Sequence, residues 1–268
     1  MTRIYNHIFE ESARLKTKKI NETVNKRYFG KIIIKQSINL STGETFITIT
    51  TKEDLFNNNT QKKRLLEELS LQINKIITTR CNKTTPKIMV VGLGNDKVTA
   101  DSLGSRTVDK LLVTSHLFHE PFINSKYGNL CAIKCGVSGI TGIESFDVIY
   151  SLLSVVKPDI LIAIDTLACS STERLGNCVQ ISDNGIAPGS GANNTKRKLD
   201  YNSLHVPVIA IGVPLVAYVK TVLEKYAVNK IDESLLPLVI TAKEIDFLIE
   251  DFSSVIANSI NAIVHNKN

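Results

Sequence analysis

The sequence predicts an α/β protein: a three-layer α/β/α arrangement around a largely parallel sheet, with an N-terminal hairpin and helix region. Three observations lead there. From Pro86 onward, short and almost wholly apolar runs recur, of the kind buried on both faces of a sheet. They alternate with stretches whose apolar residues repeat at helical spacing, which calls for crossover connections and parallel strands. The chain also has 268 residues, 43% of them hydrophobic and 22% charged, enough to enclose such a core.

Taken in order, residues 8–24 are charged and weakly amphipathic and read as a helix. Residues 31–35 and 44–50 are rich in β-branched side chains and flank Ser41-Thr42-Gly43, a hairpin pattern. A helix follows over 61–77, capped by Asn59-Thr60, with Leu65, Leu66, Leu69, Ile73, Ile76 and Ile77 on one face. The domain boundary is expected there, with 1–80 as the N-terminal region and 81–268 as the α/β domain. Within the latter, 87–93, 129–133, 159–164, 179–182 and 206–213 read as strands. Residues 103–118, 144–156, 216–226 and 241–264 read as helices, the last opening on a capping box, Thr241-Ala242-Lys243-Glu244.

Composition excludes several classes of function. No apolar run approaches the ~20 residues that cross a bilayer, and the first seven residues open no signal-peptide core, so a cytoplasmic protein is expected. Cys81, Cys131, Cys135, Cys169 and Cys178 are an odd number in a chain too large to need staples, so reduced thiols are expected. The net charge of +6 is dispersed, and its densest clusters (16–19, 62–64, 196–198) are not interleaved with aromatic residues. That pattern is a solvated basic surface, not a nucleic-acid footprint.

In an open α/β sheet, ligands gather at the carboxyl ends of the strands where the strand order reverses. The runs leaving those ends carry Gly92-Leu93-Gly94-Asn95-Asp96, then Asp101, then Asp165-Thr166, then Asp183 and Pro188-Gly189-Ser190-Gly191. The third glycine of a dinucleotide fingerprint is absent because residue 97 is Lys, no phosphate-binding loop of the Walker type occurs, and Pro188 excludes a nucleophile elbow at Ser190. His116 and His119 lack the glutamate of a zinc-protease motif, and Cys131 and Cys135 lack a second pair. Two aspartates remain, Asp101 and Asp165. Each alone reads equally well as a helix cap. Together at one sheet edge they form an acid pair in which repulsion raises the pKa of one member, leaving an acid and a base across a water. Such a pair suits hydrolysis of an amide. Asp96 and Asp183, in the adjoining glycine-bearing loops, are binding or capping candidates.

These strings resemble one family. Val91-Gly92-Leu93-Gly94-Asn95, Val98-Thr99-Ala100-Asp101-Ser102-Leu103-Gly104, Gly139-Ile140-Thr141-Gly142-Ile143-Glu144, Ile162-Ala163-Ile164-Asp165-Thr166-Leu167-Ala168, Gln180-Ile181-Ser182-Asp183 and Ile209-Ala210-Ile211-Gly212-Val213-Pro214 occur in the order found in the germination (spore) proteases, over about residues 86–216. The resemblance implies a cofactor-free endopeptidase that degrades small acid-soluble spore proteins in the spore core during germination. It further implies a homotetramer made as a zymogen with an N-terminal propeptide, on a fold similar to that of hydrogenase maturation endopeptidases. The family's proposed catalytic aspartates fall on Asp101 and Asp165, and its substrate-binding loops on Asn95, Asp96, Asp183, Gly189, Ser190 and Gly191. The chain departs from the family at Ser105 (usually Pro), Ala187 (His), Thr166 (Ala) and 191–194, and little lies between Tyr218 and Thr241 where relatives carry an insertion. Two alternatives remain: metal-assisted peptide hydrolysis, and a non-catalytic relative that binds spore proteins.

Overall fold

The computed structural model describes residues 22–52, 55, 58–169, 171–188, 197–225, 233–235 and 238–265. Residues 8–21 of the helix expected over 8–24, and the loop residues Gly189, Ser190 and Gly191, lie outside them. The described strands form one sheet: β1 (Glu22–Phe29), β2 (Ile32–Asn39), β3 (Thr45–Thr51), β4 (Lys87–Gly92), β5 (Asn129–Lys134), β6 (Ile160–Cys169), β7 (Cys178–Ser182), β8 (Val208–Tyr218) and β9 (Val239–Thr241). Their order is β1-β2-β3-β7-β8-β6-β4-β5, with β9 paired to β8. The four strands β8-β6-β4-β5 are parallel, and β7, β3, β2 and β1 extend them antiparallel.

Strand alternation explains the three layers. Ile88, Val90, Ile160, Ile162, Ile164, Ile209 and Ile211 face one core, whereas Met89, Val91, Leu161, Ala163, Val208 and Ala210 face the other. The first core is covered by α1 (Asn59–Arg80), α2 (Leu103–Val108) and α8 (Ile245–His265), through Leu65, Leu69, Ile73, Leu103, Phe252 and Ile256. The hairpin strands β2 and β3 place Ile32, Ile34, Ile47 and Ile49 in that same core. The second is covered by α5 (Ser145–Val156), with Phe146 and Ile149, and by Leu204 of α6 (Tyr201–Leu204). Shorter helices α3 (Pro121–Lys126), α4 (Ser138–Thr141) and α7 (Val219–Lys225) lie in the connections. Among the described residues α8 alone is long and apolar enough to cross a membrane, yet Ile249, Phe252, Ile256 and Ile260 on it are core residues.

Several element boundaries differ from expectation. Residues 22–24 start an edge strand, not the end of a helix. The helix expected to reach Phe118 stops at Val108, because the Thr114 hydroxyl donates to the Gly128 carbonyl (2.6 Å) and accepts the Leu130 amide (3.1 Å), tying the chain to β5. Residues 216–218 continue β8 before α7 begins. Thr241 is a β9 residue whose hydroxyl donates to the Leu215 carbonyl at 2.8 Å, so it caps nothing and α8 begins at Ile245. At α1 the cap is Asn58, whose side-chain oxygen accepts the Gln61 amide at 3.1 Å.

Candidate active site

From β4 the chain crosses through α2 to β5 on one side, while β6, reached through α5, pairs with β4 on the other. The crevice between the carboxyl ends of β4 and β6 is therefore the point where the strand order reverses, the favoured ligand position in such sheets. β4 ends at Gly92, level with Ile164, whereas β6 runs on to Cys169. The segment 93–101 folds into the notch beside this overhang.

Three glycines seat that segment. Gly94 turns the chain with φ +90°, and a carbon added there would meet the Asp101 carbonyl oxygen at 2.1 Å. A carbon added at Gly104 would meet the Leu93 and Ile164 carbonyl oxygens at 2.4 and 2.5 Å, and one at Gly92 would meet the Gly104 carbonyl oxygen at 2.5 Å. The first turn of α2 thus lies backbone against backbone on the ends of β4 and β6. No side chain of any other residue type fits there.

Asp101 closes the turn Thr99–Asp101, which packs on β6, β8 and α8. The Asn95 amide donates to its Oδ2 at 2.8 Å. Burial holds the Asp101 carboxyl above the usual carboxylate range, and the Asn95 amide partly opposes this. The upward direction comes from desolvation, whereas the sequence reading expected repulsion from a neighbouring carboxylate. Asp165, buried in β6 beside Gly212 of β8, accepts the Thr166 amide on Oδ1 at 2.9 Å. The Leu93 amide donates to the Ile164 carbonyl at 2.9 Å, so Asn95 lies two residues beyond the register level of Asp165 in the adjacent strand. The chain turns at Gly94, so the Asn95 amide and the carboxylate it holds stay at the sheet edge past which β6 carries Asp165. The two aspartates thus share one edge and one crevice. Next to Asp165 in the chain, on the other face of β6, the Thr166 hydroxyl is buried without a hydrogen-bond partner among the described residues.

The other predicted residues are distributed differently. Asn95 lies in the notch, its side-chain oxygen accepting the Lys97 amide at 3.0 Å, and Asp96 next to it is exposed. Asp183 is elsewhere, which corrects the expectation that the loop after β7 leaves from this edge. Because β7 is antiparallel to β8, Gln180 is level with Gly212 and the chain then runs the opposite way. Asp183 therefore sits roughly 10 Å back along the strands from the level of Asp165. There it is a clamp: Oδ1 accepts the Thr45 amide (2.7 Å), and Oδ2 accepts Nε (3.0 Å) and Nη2 (2.7 Å) of Arg80 at the end of α1.

With α2 ending early, His116 lies in a 3-10 turn and His119 in a loop, next to Glu120 at 3.2 Å, so the pair shares no helix face. None of the five cysteines forms a disulfide, and burial pushes the Cys135 thiol up to about 12. Among the described residues, no three His, Cys, Asp or Glu side chains gather closely enough to hold a metal ion. Sequence reasoning passed over the seating role of Gly92 and Gly104 and the partnership of Arg80 with Asp183. The glycine pair was visible only as letters in a motif, and nothing in sequence joins residues 80 and 183.

Residues 31–227 match the family model described as germination protease. The germination protease of Priestia megaterium (strain ATCC 12872 / QMB1551) is 32% identical, over 78% of this chain and 74% of that protein. Those of Bacillus cereus (strain AH187) and Bacillus thuringiensis subsp. konkukian (strain 97-27) are each 36% identical, over 67% of this chain and 67% of theirs.

Proposed function

The chain belongs to the germination protease family of peptidases, and from that premise we propose that it is an endopeptidase that degrades small acid-soluble spore proteins during germination, with Asp101 and Asp165 activating the water. What supports the reading is that the segments carrying these two aspartates lie at the same end of the neighbouring parallel strands β4 and β6, with burial favouring the protonated form of Asp101.

In this mechanism the roles follow from the surroundings. Asp165 takes a proton from a water as that water attacks the scissile carbonyl carbon, giving a tetrahedral intermediate. Asp101, kept toward its protonated form by burial, gives its proton to the leaving nitrogen as the C–N bond breaks. Asn95 and Asp96, with Gly189, Ser190 and Gly191, are assigned to substrate binding. Asp183, held by Arg80, is assigned to architecture instead. The family likeness extends the proposal to a homotetramer made as a zymogen and acting in the forespore or spore core.

The test is incubation of a purified small acid-soluble spore protein with the wild type, Asp101→Asn and Asp165→Asn. Each substitution keeps the side-chain size and removes the charge, and should lower kcat about 10²- to 10⁴-fold. If either variant cleaves at the wild-type rate, that aspartate is a cap and the mechanism fails. Substrate bound but left intact by the wild type identifies a binder. Activity abolished by a chelator and restored by a divalent cation identifies metal-assisted hydrolysis.

A further inference from the structure

Gly104 is three residues beyond Asp101 and is backed against the Ile164 carbonyl, which belongs to the peptide unit that leads into Asp165. One contact therefore joins the two segments that carry the carboxyl groups. It is made by backbone atoms on both sides. A carbon at position 104 would sit 2.5 Å from the Ile164 oxygen and from the Leu93 nitrogen, and 2.4 Å from the Leu93 oxygen. The contact is reciprocal, since a carbon at Gly92 would press the Gly104 carbonyl carbon and oxygen at 2.7 and 2.5 Å. Backbone contacts of this kind have no rotamers through which to relax, so the seat has one height.

On these grounds we propose that Gly104 is a positioning residue that sets the separation of Asp101 and Asp165, acting through the seat of α2 on β4 and β6. This rests on the reading of the two aspartates as the reacting pair. The Asp101 turn and α2 are continuous through Ser102, whose amide and hydroxyl both donate to the Thr99 carbonyl, at 3.1 and 2.8 Å. A lift of α2 therefore carries Asp101 with it, while Asp165 stays in its strand. Ordinary contact begins near 3.4 Å, so an alanine at 104 lifts the turn by about 1 Å (3.4 − 2.4). Misplacement on that scale costs a reaction about 100-fold.

The experiment compares Gly104→Ala with Gly139→Ala, which has nothing within 4 Å of its added carbon and so serves as the neutral control. Spore-protein cleavage is measured across pH, with thermal unfolding alongside. The expected result for Gly104→Ala is kcat lower by about 100-fold with KM within about twofold, and a pH profile whose limbs move because lifting the turn changes the burial of the Asp101 carboxyl. Gly139→Ala should match the wild type in both. If Gly104→Ala does not fold, Gly92→Ala decides, since its added carbon pushes only α2 and leaves the sheet in place. A folded Gly104→Ala or Gly92→Ala variant with wild-type kcat and pH profile overturns the proposal. Loss of turnover in Asp101→Asn and Asp165→Asn beside an active Gly104→Ala sinks this inference alone. Wild-type turnover in the aspartate variants removes the reading on which it rests.

Discussion

Replacing Arg80 by alanine tests whether Asp183 is a clamp or a ligand for substrate. The Asp183 side chain is only 4% exposed and its charge is answered by three donors: the Thr45 amide on one oxygen, and two Arg80 nitrogens on the other. Arg80 also donates to the Gly43 carbonyl at 2.9 Å, so it ties α1, the hairpin turn and the end of β7 together. Removing it leaves a nearly buried carboxylate oxygen with no donor among the described residues. Breaking a buried pair costs about 3–5 kcal/mol; because Arg80 itself is 34% exposed and water enters where it stood, about 2–3 kcal/mol is the expected loss. That lowers Tm by roughly 4–12 °C at this chain length. Adding Asp183→Asn to Arg80→Ala removes the stranded charge and should recover part of the loss. Thermal unfolding of the two single variants and the double variant gives the coupling, and cleavage assayed well below Tm gives the activity. The reasoning is refuted if Arg80→Ala unfolds with the wild type, or if Asp183→Asn abolishes cleavage at unchanged Tm.

Three further outcomes are expected. Because burial holds the folded-state pKa of Asp101 above its unfolded value, its ionisation near neutral pH opposes folding, and that penalty disappears as pH falls below the ordinary carboxylate range. Asp101→Asn should therefore be at least as stable as the wild type at pH 7, with the difference closing in acid when unfolding is followed against pH. Thr166→Val keeps the shape and removes a buried, unpartnered hydroxyl, so stability should rise by about 1–2 kcal/mol in thermal unfolding. With its pKa pushed up to about 12, Cys135 stays a thiol at pH 8, so mass spectrometry after iodoacetamide treatment should find it unlabelled in the native protein and labelled after denaturation.

The elements most legible in the sequence are those buried on both faces. Residues 87–92 and 160–164 could be read as strands because nearly every position in them is apolar, and burial of both faces permits nothing else. The hairpin was legible for a different reason: Gly43 and its polar neighbours stand between two β-branched runs. The strand at 22–29 was missed because it is an exposed edge, with Asn25, Lys26 and Arg27 where a pattern would need apolar residues. Leu112, Val113 and Leu117 continued a helical spacing past Val108, but they are exposed, and the long-range bonds of Thr114 decide that stretch. Asp101 and Asp165 could be placed at one edge because one follows the apolar run of a parallel strand and the other closes such a run. Asp183 was placed wrongly because strand direction leaves no mark in a five-residue run. Periodicity reports which residues are buried and is silent on which way the chain travels.

The pairing of β3 with β7 also bears on how the chain is made. Thr45 and Asp183, which meet at its end, are 138 residues apart. At ordinary rates of synthesis the ribosome needs about 7–28 s to travel that distance. For that interval the hairpin is exposed at the tunnel exit with one flank of β3 unpaired. The hairpin thus waits for a distant partner, and an early helper that shields an open strand flank should raise the yield more than one that acts on the finished polypeptide.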